Sequence, residues 1–289
     1  MPENRIITLL SDFGLSDVYV GVMKGVIAHI NPALTVVDLT HQIPPQNIAA
    51  ARFNLMNAYP YFPIGTVHVA VVDPGVGSHR RAIALQLEAG FLVGPDNGLF
   101  SGILNSYPVV AAIELSNSDY WRTVTPSTTF HGRDIFASVG AHLASGVPLE
   151  QLGKIIDATT LVKLAIPERT LTAGGIVGCI QYIDHFGNLI TNIPATDVQG
   201  KTWVIAVGDS PIEALRDTEG LLRQQQSVDR IILSSETYSD GELGDIVALV
   251  GSHGWVEIAV NGGNAQSTLQ LDYTASIKII VTGVTGSPL

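Results

Sequence analysis

Cysteine is almost absent: Cys179 is the one example in 289 residues, so no intrachain disulfide and no cysteine-built zinc site can form. Such usage fits a reducing compartment. Charge is also scarce, at 14% of residues, and basic charge most of all. Fifteen Lys and Arg against 26 Asp and Glu give a net charge of −11, the opposite of the footprint of a nucleic-acid binder. No apolar run reaches the length of a membrane span. The opening residues lack the basic start, apolar stretch and small-residue cleavage site of a signal peptide. The expectation is a soluble cytoplasmic protein with neither a membrane nor a nucleic-acid partner. No internal repeat or low-complexity tract interrupts the chain.

What remains is a long, apolar chain. At 46% hydrophobic it can bury a sizeable core, and its length suits two domains. The first half alternates strand and helix patterns. Apolar runs at 5–10, 34–39, 66–72 and 109–115 read as strands, and 81–87 with 90–94 as a hairpin pair. Val22, Met23, Val26, Ile27 and Ile30 recur at helical spacing behind a cap at Ser16 or Asp17. Residues 47–59 read as a second helix, and Phe136, Val139 and Leu143 mark a third after Arg133. This order implies a mainly parallel sheet flanked by helices. Beyond a connection at 155–170 come short runs at 176–183, 189–193, 202–207, 230–234, 246–250, 256–260 and 277–282. With turn residues between them they suggest a small barrel or sandwich. The predicted fold is an α/β domain over 1–165 and an all-β barrel domain over 166–289.

Ligands of open parallel sheets bind where strands end, and polar residues gather there. Ser11-Asp12-Phe13-Gly14 follows the first strand, Asp73-Pro74-Gly75-Val76-Gly77 the third, Pro95-Asp96-Asn97-Gly98 the hairpin, and Phe130-His131-Gly132-Arg133-Asp134 opens the third helix. Each has a plain structural alternative. Asp12 suits an Asx-turn, Pro95–Gly98 a type I turn, and His131, Arg133 and Asp134 a network at a helix start. Gly75-Val76-Gly77 is no phosphate loop, because an alternating strand follows it rather than a helix. Asp12, Asp73, Asp96 and His131 are hard-cation ligand types, but their spacing does not argue for a metal.

Taken together these segments, with Thr40-His41-Gln42-Ile43-Pro44-Pro45, Ile183-Asp184-His185-Phe186-Gly187-Asn188 and Glu257-Ile258-Ala259, resemble a known family. It is that of the S-adenosyl-L-methionine hydroxide adenosyltransferases, or SAM hydrolases, relatives of the fluorinases and chlorinases. The resemblance covers nearly the whole chain. It implies conversion of S-adenosyl-L-methionine and water to adenosine and L-methionine, without cofactor or metal, in a homotrimer with sites between subunits. It implies a catalytic set of Asp73, Arg80 and His131, with Arg80 rather than Arg81 chosen on the resemblance alone, and Arg81 left to start the next strand facing solvent. Either Asp73 or His131 then accepts the proton from water. Asp12 matches the ribose-diol acceptor, Asp184 the residue near the methionine ammonium, and Asn188 the adenine reader. Phe130 and Phe186 are walls for the base and ribose, a core role being the alternative for each. Ser252 and the 259–262 backbone match the part that holds methionine and adenine, and Glu257 is counted among the substrate-binding residues.

That residue set suits the chemistry. A sulfonium leaves as a neutral thioether, so displacement at the ribose C5′ needs an oriented oxygen nucleophile and a dry site. Two departures stand out. Gln46 occupies a position that is aromatic in many relatives, and Ser252-His253 replaces the Ser-Arg of the halogenases. Alternative readings are a 5′-halogenase, disfavoured because an ionised Asp73 repels halide, a non-catalytic adenosyl-ligand binder, and a metal-dependent phosphoesterase.

Overall fold

The apolar run that begins at Ile6 forms an inner strand of a seven-stranded sheet. A computed structural model describes residues 6–172, 174–208 and 230–284; Arg5 of the expected first strand and residues 285–289 lie outside them. β1 (Ile6–Ser11) pairs in parallel with β2 (Thr35–Thr40) on one side and β3 (Thr66–Val71) on the other. Strands covered on both faces read as continuous apolar runs, and β3 is buried at every position. α1 (Tyr19–Ile30) turns Val20, Met23 and Ile27 to the core. Its N-cap is Val18, without a side-chain bond, so neither Ser16 nor Asp17 caps it. Both precede the N-cap position and are exposed. α2 (Ile48–Ala58) does have a cap: Asn47 Oδ1 accepts from Ala50 N at 2.9 Å.

The expected mainly parallel sheet is in fact mixed. β4 (Ala82–Leu87) and β5 (Gly90–Pro95) form an antiparallel hairpin, and β5 then runs parallel to β3. β6 (Val109–Glu114) and β7 (Lys154–Ile155) extend the antiparallel side. The seven-stranded order is β2-β1-β3-β5-β4-β6-β7. The short loop at 88–89 causes the switch, since it reverses the chain directly, whereas parallel neighbours need a crossover. After the short α3 (Ser101–Leu104), a π-helical turn, Gly132–Phe136, leads into α4 (Ala137–Ala144). Phe136 and Val139 join Ile7, Val67 and Val69 in the core.

The chain divides into two compact units between Leu164 and Ala165. Among the described residues the second unit is all-β apart from short helices. Its strands are β8 (Thr170–Thr172), β9 (Gly175–Ile183), β10 (Leu189–Pro194), β11 (Lys201–Val207), β12 (Arg230–Leu233), β13 (Ile246–Val250), β14 (Trp255–Val260) and β15 (Ser276–Val284). They run β12-β11-β15-β9-β10-β14-β13, with β8 added on β9. One parallel bridge, Ser234 to Ala248, ties the end of β12 to β13 and brings the edges of that order together. α5 (Ala195–Val198) and α6 (Ala265–Leu269) cover part of its core of Ile180, Leu189, Ile205, Ile258 and Ile277. Among the described residues no helix is long and apolar enough to cross a membrane.

α4 lies against β3 through a glycine. A Cβ on Gly140 would stand 2.6 Å from the Val69 Cγ2. Gly140→Val should therefore destabilise the chain by about 1–3 kcal/mol through overpacking, read as a lower urea midpoint with an unchanged slope. An unchanged midpoint would contradict this packing.

Candidate active site

The turn after β3 brings two charges together. Val76 N donates to Asp73 O, Ser78 N and Oγ donate to Gly75 O, and Ser78 Oγ accepts from Arg80 N. Gly77 has φ of 77°, and a Cβ there would lie 2.4 Å from Thr128 O, so only glycine fits this close approach. The chain thus folds back and sets Arg80 on Asp73. Arg80 Nε donates to Asp73 Oδ1 at 2.9 Å, and Nη2 donates to Oδ2. Their side chains are 10% and 5% exposed, and the guanidinium lies over the Phe136 ring at 5.2 Å.

His131 completes the cluster. Arg80 Nη2 lies 2.8 Å from its Nδ1. A guanidinium has donors only, so Nδ1 accepts and the neutral ring carries its proton on Nε2. Burial, then the Arg80 charge, holds His131 below its ordinary pKa, against Asp73 and Asp134, which act the other way. The segment is pinned from behind by Asp134, which is 0% exposed. It accepts from Arg122 Nε at 2.6 Å, Arg133 Nε and Nη2 at 2.7 Å, and Ser127 N at 2.9 Å. Burial alone would raise this carboxyl, but the bonds from Arg133, Arg122 and Ser127 hold it well below the usual carboxylate range.

Asp73 and His131 line a cavity of about 410 Å³ together with Asp12, Phe13, Tyr19 and Phe130. The three rings pack on one another, with Phe130 edge-on to Phe13 at 5.6 Å and to Tyr19 at 5.2 Å. Asp12 Oδ2 accepts from Gln46 N at 2.7 Å, and Gln46 itself borders the cavity with φ of 64°. Gln46 thus meets Asp12 through its backbone and not its side chain, and left-handed geometry at a glutamine gives no sequence signal. Phe13 and Tyr19 are walls that residue-by-residue reasoning passed over; their nearness to Asp12 in the opening motif was the available hint.

Arg81 does not face solvent. Its Nε and Nη2 donate to buried Asp96 at 2.9 and 2.6 Å, and Nη2 also reaches Thr160 O. Asp96 also accepts from Val162 N, so it holds a loop and stands apart from Asp73. Among the described residues no group of three or more His, Cys, Asp or Glu gathers as metal ligands do.

The second unit holds the other predicted residues. Asp184 Oδ1 accepts from Phe186 N and Asn188 N, both at 2.9 Å, and Oδ2 accepts from Asn188 Nδ2 at 3.0 Å. This pairing shapes the β9–β10 turn and leaves Phe186 71% exposed. Glu257, on β14 and 2% exposed, accepts from Tyr238 Oη at 2.6 Å and from His253 Nε2 at 2.8 Å. Burial, then the bond to Glu257 and the charges of Glu257 and Asp184, pushes the Tyr238 hydroxyl far above its usual range. Asp184, Tyr238 and Glu257 thus share one electrostatic neighbourhood. His253 is committed to Glu257, since its Nδ1 accepts from Trp255 N. Ser252 is exposed in the β13–β14 turn. Tyr238 had been missed, as no motif contains it.

An α/β unit with a buried Arg–Asp–His cluster beside an aromatic cavity, followed by an all-β unit, defines a two-domain enzyme architecture. Family models for the SAM hydroxide adenosyltransferase N-terminal domain and C-terminal domain match residues 7–153 and 178–278. The chain is 40% identical over 264 residues to a protein of Salinispora tropica named (R)-S-adenosyl-L-methionine hydrolase, covering 91% of this chain and 93% of that one. It is 30% identical to a fluorinase of an Actinoplanes species, covering 96% and 98%. A crystal structure of an uncharacterized conserved protein from Thermotoga maritima superposes with a TM-score of 0.83 at 33% identity, over 95% of this chain and 99% of that one. The chain belongs to the SAM hydroxide adenosyltransferase family.

The cluster predicts opposite shifts of the His131 titration. Asp73→Asn removes a carboxylate that raises its pKa and should lower it further. Arg80→Gln removes a lowering charge and the Nδ1 donor and should raise it toward the free value of about 6.5. Imidazole proton NMR against pH checks both, and shifts in the same direction would contradict the arrangement.

Proposed function

We propose that the protein hydrolyses S-adenosyl-L-methionine at the ribose C5′, giving adenosine and L-methionine without a metal. The observation that carries this reading is the Asp73–Arg80–His131 cluster on the wall of an aromatic cavity that also presents Asp12. Asp12 has one oxygen on Gln46 N and a second for the ribose diol. The faces of Phe13, Tyr19 and Phe130 suit a sulfonium cation. His131 Nε2–H orients the water oxygen, and because its Nδ1 lone pair is occupied by Arg80, Asp73 is the proton acceptor. As the oxygen bonds to C5′, the C–S bond electrons return to sulfur, methionine leaves as a neutral thioether, and one proton is released through Asp73. Arg80 holds Asp73 and His131 in register throughout.

In the second unit Asp184 and Glu257, with Tyr238, are assigned to the methionine ammonium end. Asn188 is assigned to adenine, and exposed Phe186 and Ser252 to the rim. The proposed assembly is a cytoplasmic homotrimer with sites between subunits. The sulfonium configuration in the relative's name, (R), is taken as the preferred epimer. The fluorinase relative makes halide the competing nucleophile, but the Asp73 carboxylate opposes an anion beside it.

Each epimer should be incubated with the purified protein and the products separated. Equal adenosine and methionine, faster from the (R) epimer and undiminished by a chelator, are expected. Asp73→Asn should lose about 10²–10⁴-fold in rate. Formation of 5′-chloro-5′-deoxyadenosine in chloride, or full rate in Asp73→Asn, would overturn the reading.

A further inference from the structure

A second, larger cavity, of about 730 Å³, opens between α1 and α4 on the first unit. Val26, Ile30 and Trp121 make an apolar wall, and Arg122, Arg133, His29 and His142 supply its polar groups. None of its lining residues is acidic, in a chain whose net charge is −11. Its charge balance follows from Asp134. That buried carboxylate engages Arg122 through Nε and Arg133 through Nε and Nη2. Two guanidinium groups share one carboxylate, which leaves one positive charge. Both Nη groups of Arg122 and Nη1 of Arg133 have no hydrogen-bond partner among the described residues. Burial keeps His142 below its ordinary pKa, so it adds a neutral donor.

We propose that this cavity is a ligand site for a small organic anion, a carboxylate or phosphate carried on a flat apolar body. The apolar wall would take the body, and the unused guanidinium donors the anionic head. An anion there is attracted by the surplus charge and by hydrogen bonds in which both partners are charged, whereas a neutral molecule of the same shape forms only the weaker bonds of a charged donor to a neutral acceptor. The site is separate from the Asp73 cavity, but Arg133 stands between them: its guanidinium lies over the Phe130 ring at 5.2 Å, and Phe130 lines the other cavity.

The test is calorimetric titration of the intact protein with phenyl phosphate, benzoate, benzyl alcohol and inorganic phosphate. Phenyl phosphate or benzoate should bind saturably and at least about tenfold more tightly than benzyl alcohol or inorganic phosphate, the gap expected when one charge-assisted contact and one apolar contact are both needed. The stronger of the two aromatic anions separates a phosphate from a carboxylate site. His29→Glu, which adds an acid to the rim, and Val26→Trp, which fills the wall, should each abolish that preference. Asp12→Ala, in the other cavity, should leave it intact. Circular dichroism and melting confirm that each variant is folded, and His29→Glu alone decides if Val26→Trp is not. No saturable binding, equal binding of benzyl alcohol, equal binding of inorganic phosphate, or loss only in Asp12→Ala would each overturn the proposal.

Discussion

Everything at the candidate site depends on one guanidinium. Arg80 donates to both oxygens of Asp73 and, through the same Nη2, to His131. Because an arginine cannot accept a hydrogen bond or lose its proton at ordinary pH, its placement sets the tautomer of its histidine neighbour. His131 is held neutral with its proton turned away from Arg80. The buried setting strengthens these interactions, and the Phe136 ring beneath the guanidinium keeps water from that face. A lysine at this position would supply a point charge but not the planar fork.

Two supports keep that arrangement in place. The Gly77 turn rests on Thr128 O and sets Arg80 against Asp73. On the other side, Asp134 gathers Arg122, Arg133 and Ser127 N around the π-helical turn that begins beside His131. π-helical turns occur often at functional sites, and here the turn lies between a charged cluster and the aromatic wall. Arg133 belongs to both, bonded to Asp134 and stacked on Phe130. Rigidity at the site is thus bought with a buried ionic network rather than with apolar packing alone.

Much of this was legible in the chain itself. The strands follow their apolar runs, and of the helical face expected at Val22, Met23, Val26, Ile27 and Ile30, Met23 and Ile27 are buried in α1, together with Val20, which that pattern did not include. Asp73 and Arg80 are seven positions apart across a Pro-Gly-x-Gly turn, a spacing that lets the chain fold back. Other features depend on geometry that local sequence does not encode. The hairpin at 81–94 was legible, but the docking of β5 beside β3 and of β4 beside β6 was not, and α1 begins without a side-chain cap. Choosing between adjacent Arg80 and Arg81 needs the partner carboxylates, since each has its own, Asp73 and Asp96. Gln46 meets Asp12 through a backbone N–H that any non-proline residue possesses, so its side chain was a poor guide. Asp184 and Asn188 resemble ligand groups in sequence but also bond each other, because a tight turn brings them within reach.

The central claim is that oxygen from water, oriented by His131 and deprotonated by Asp73, forms the new bond at the ribose carbon. Running the reaction in heavy-oxygen water and analysing both products by mass spectrometry tests it most directly. The account predicts the label in the 5′-hydroxyl of adenosine and none in methionine. Adenosine without the label, or a label carried by methionine, would contradict it.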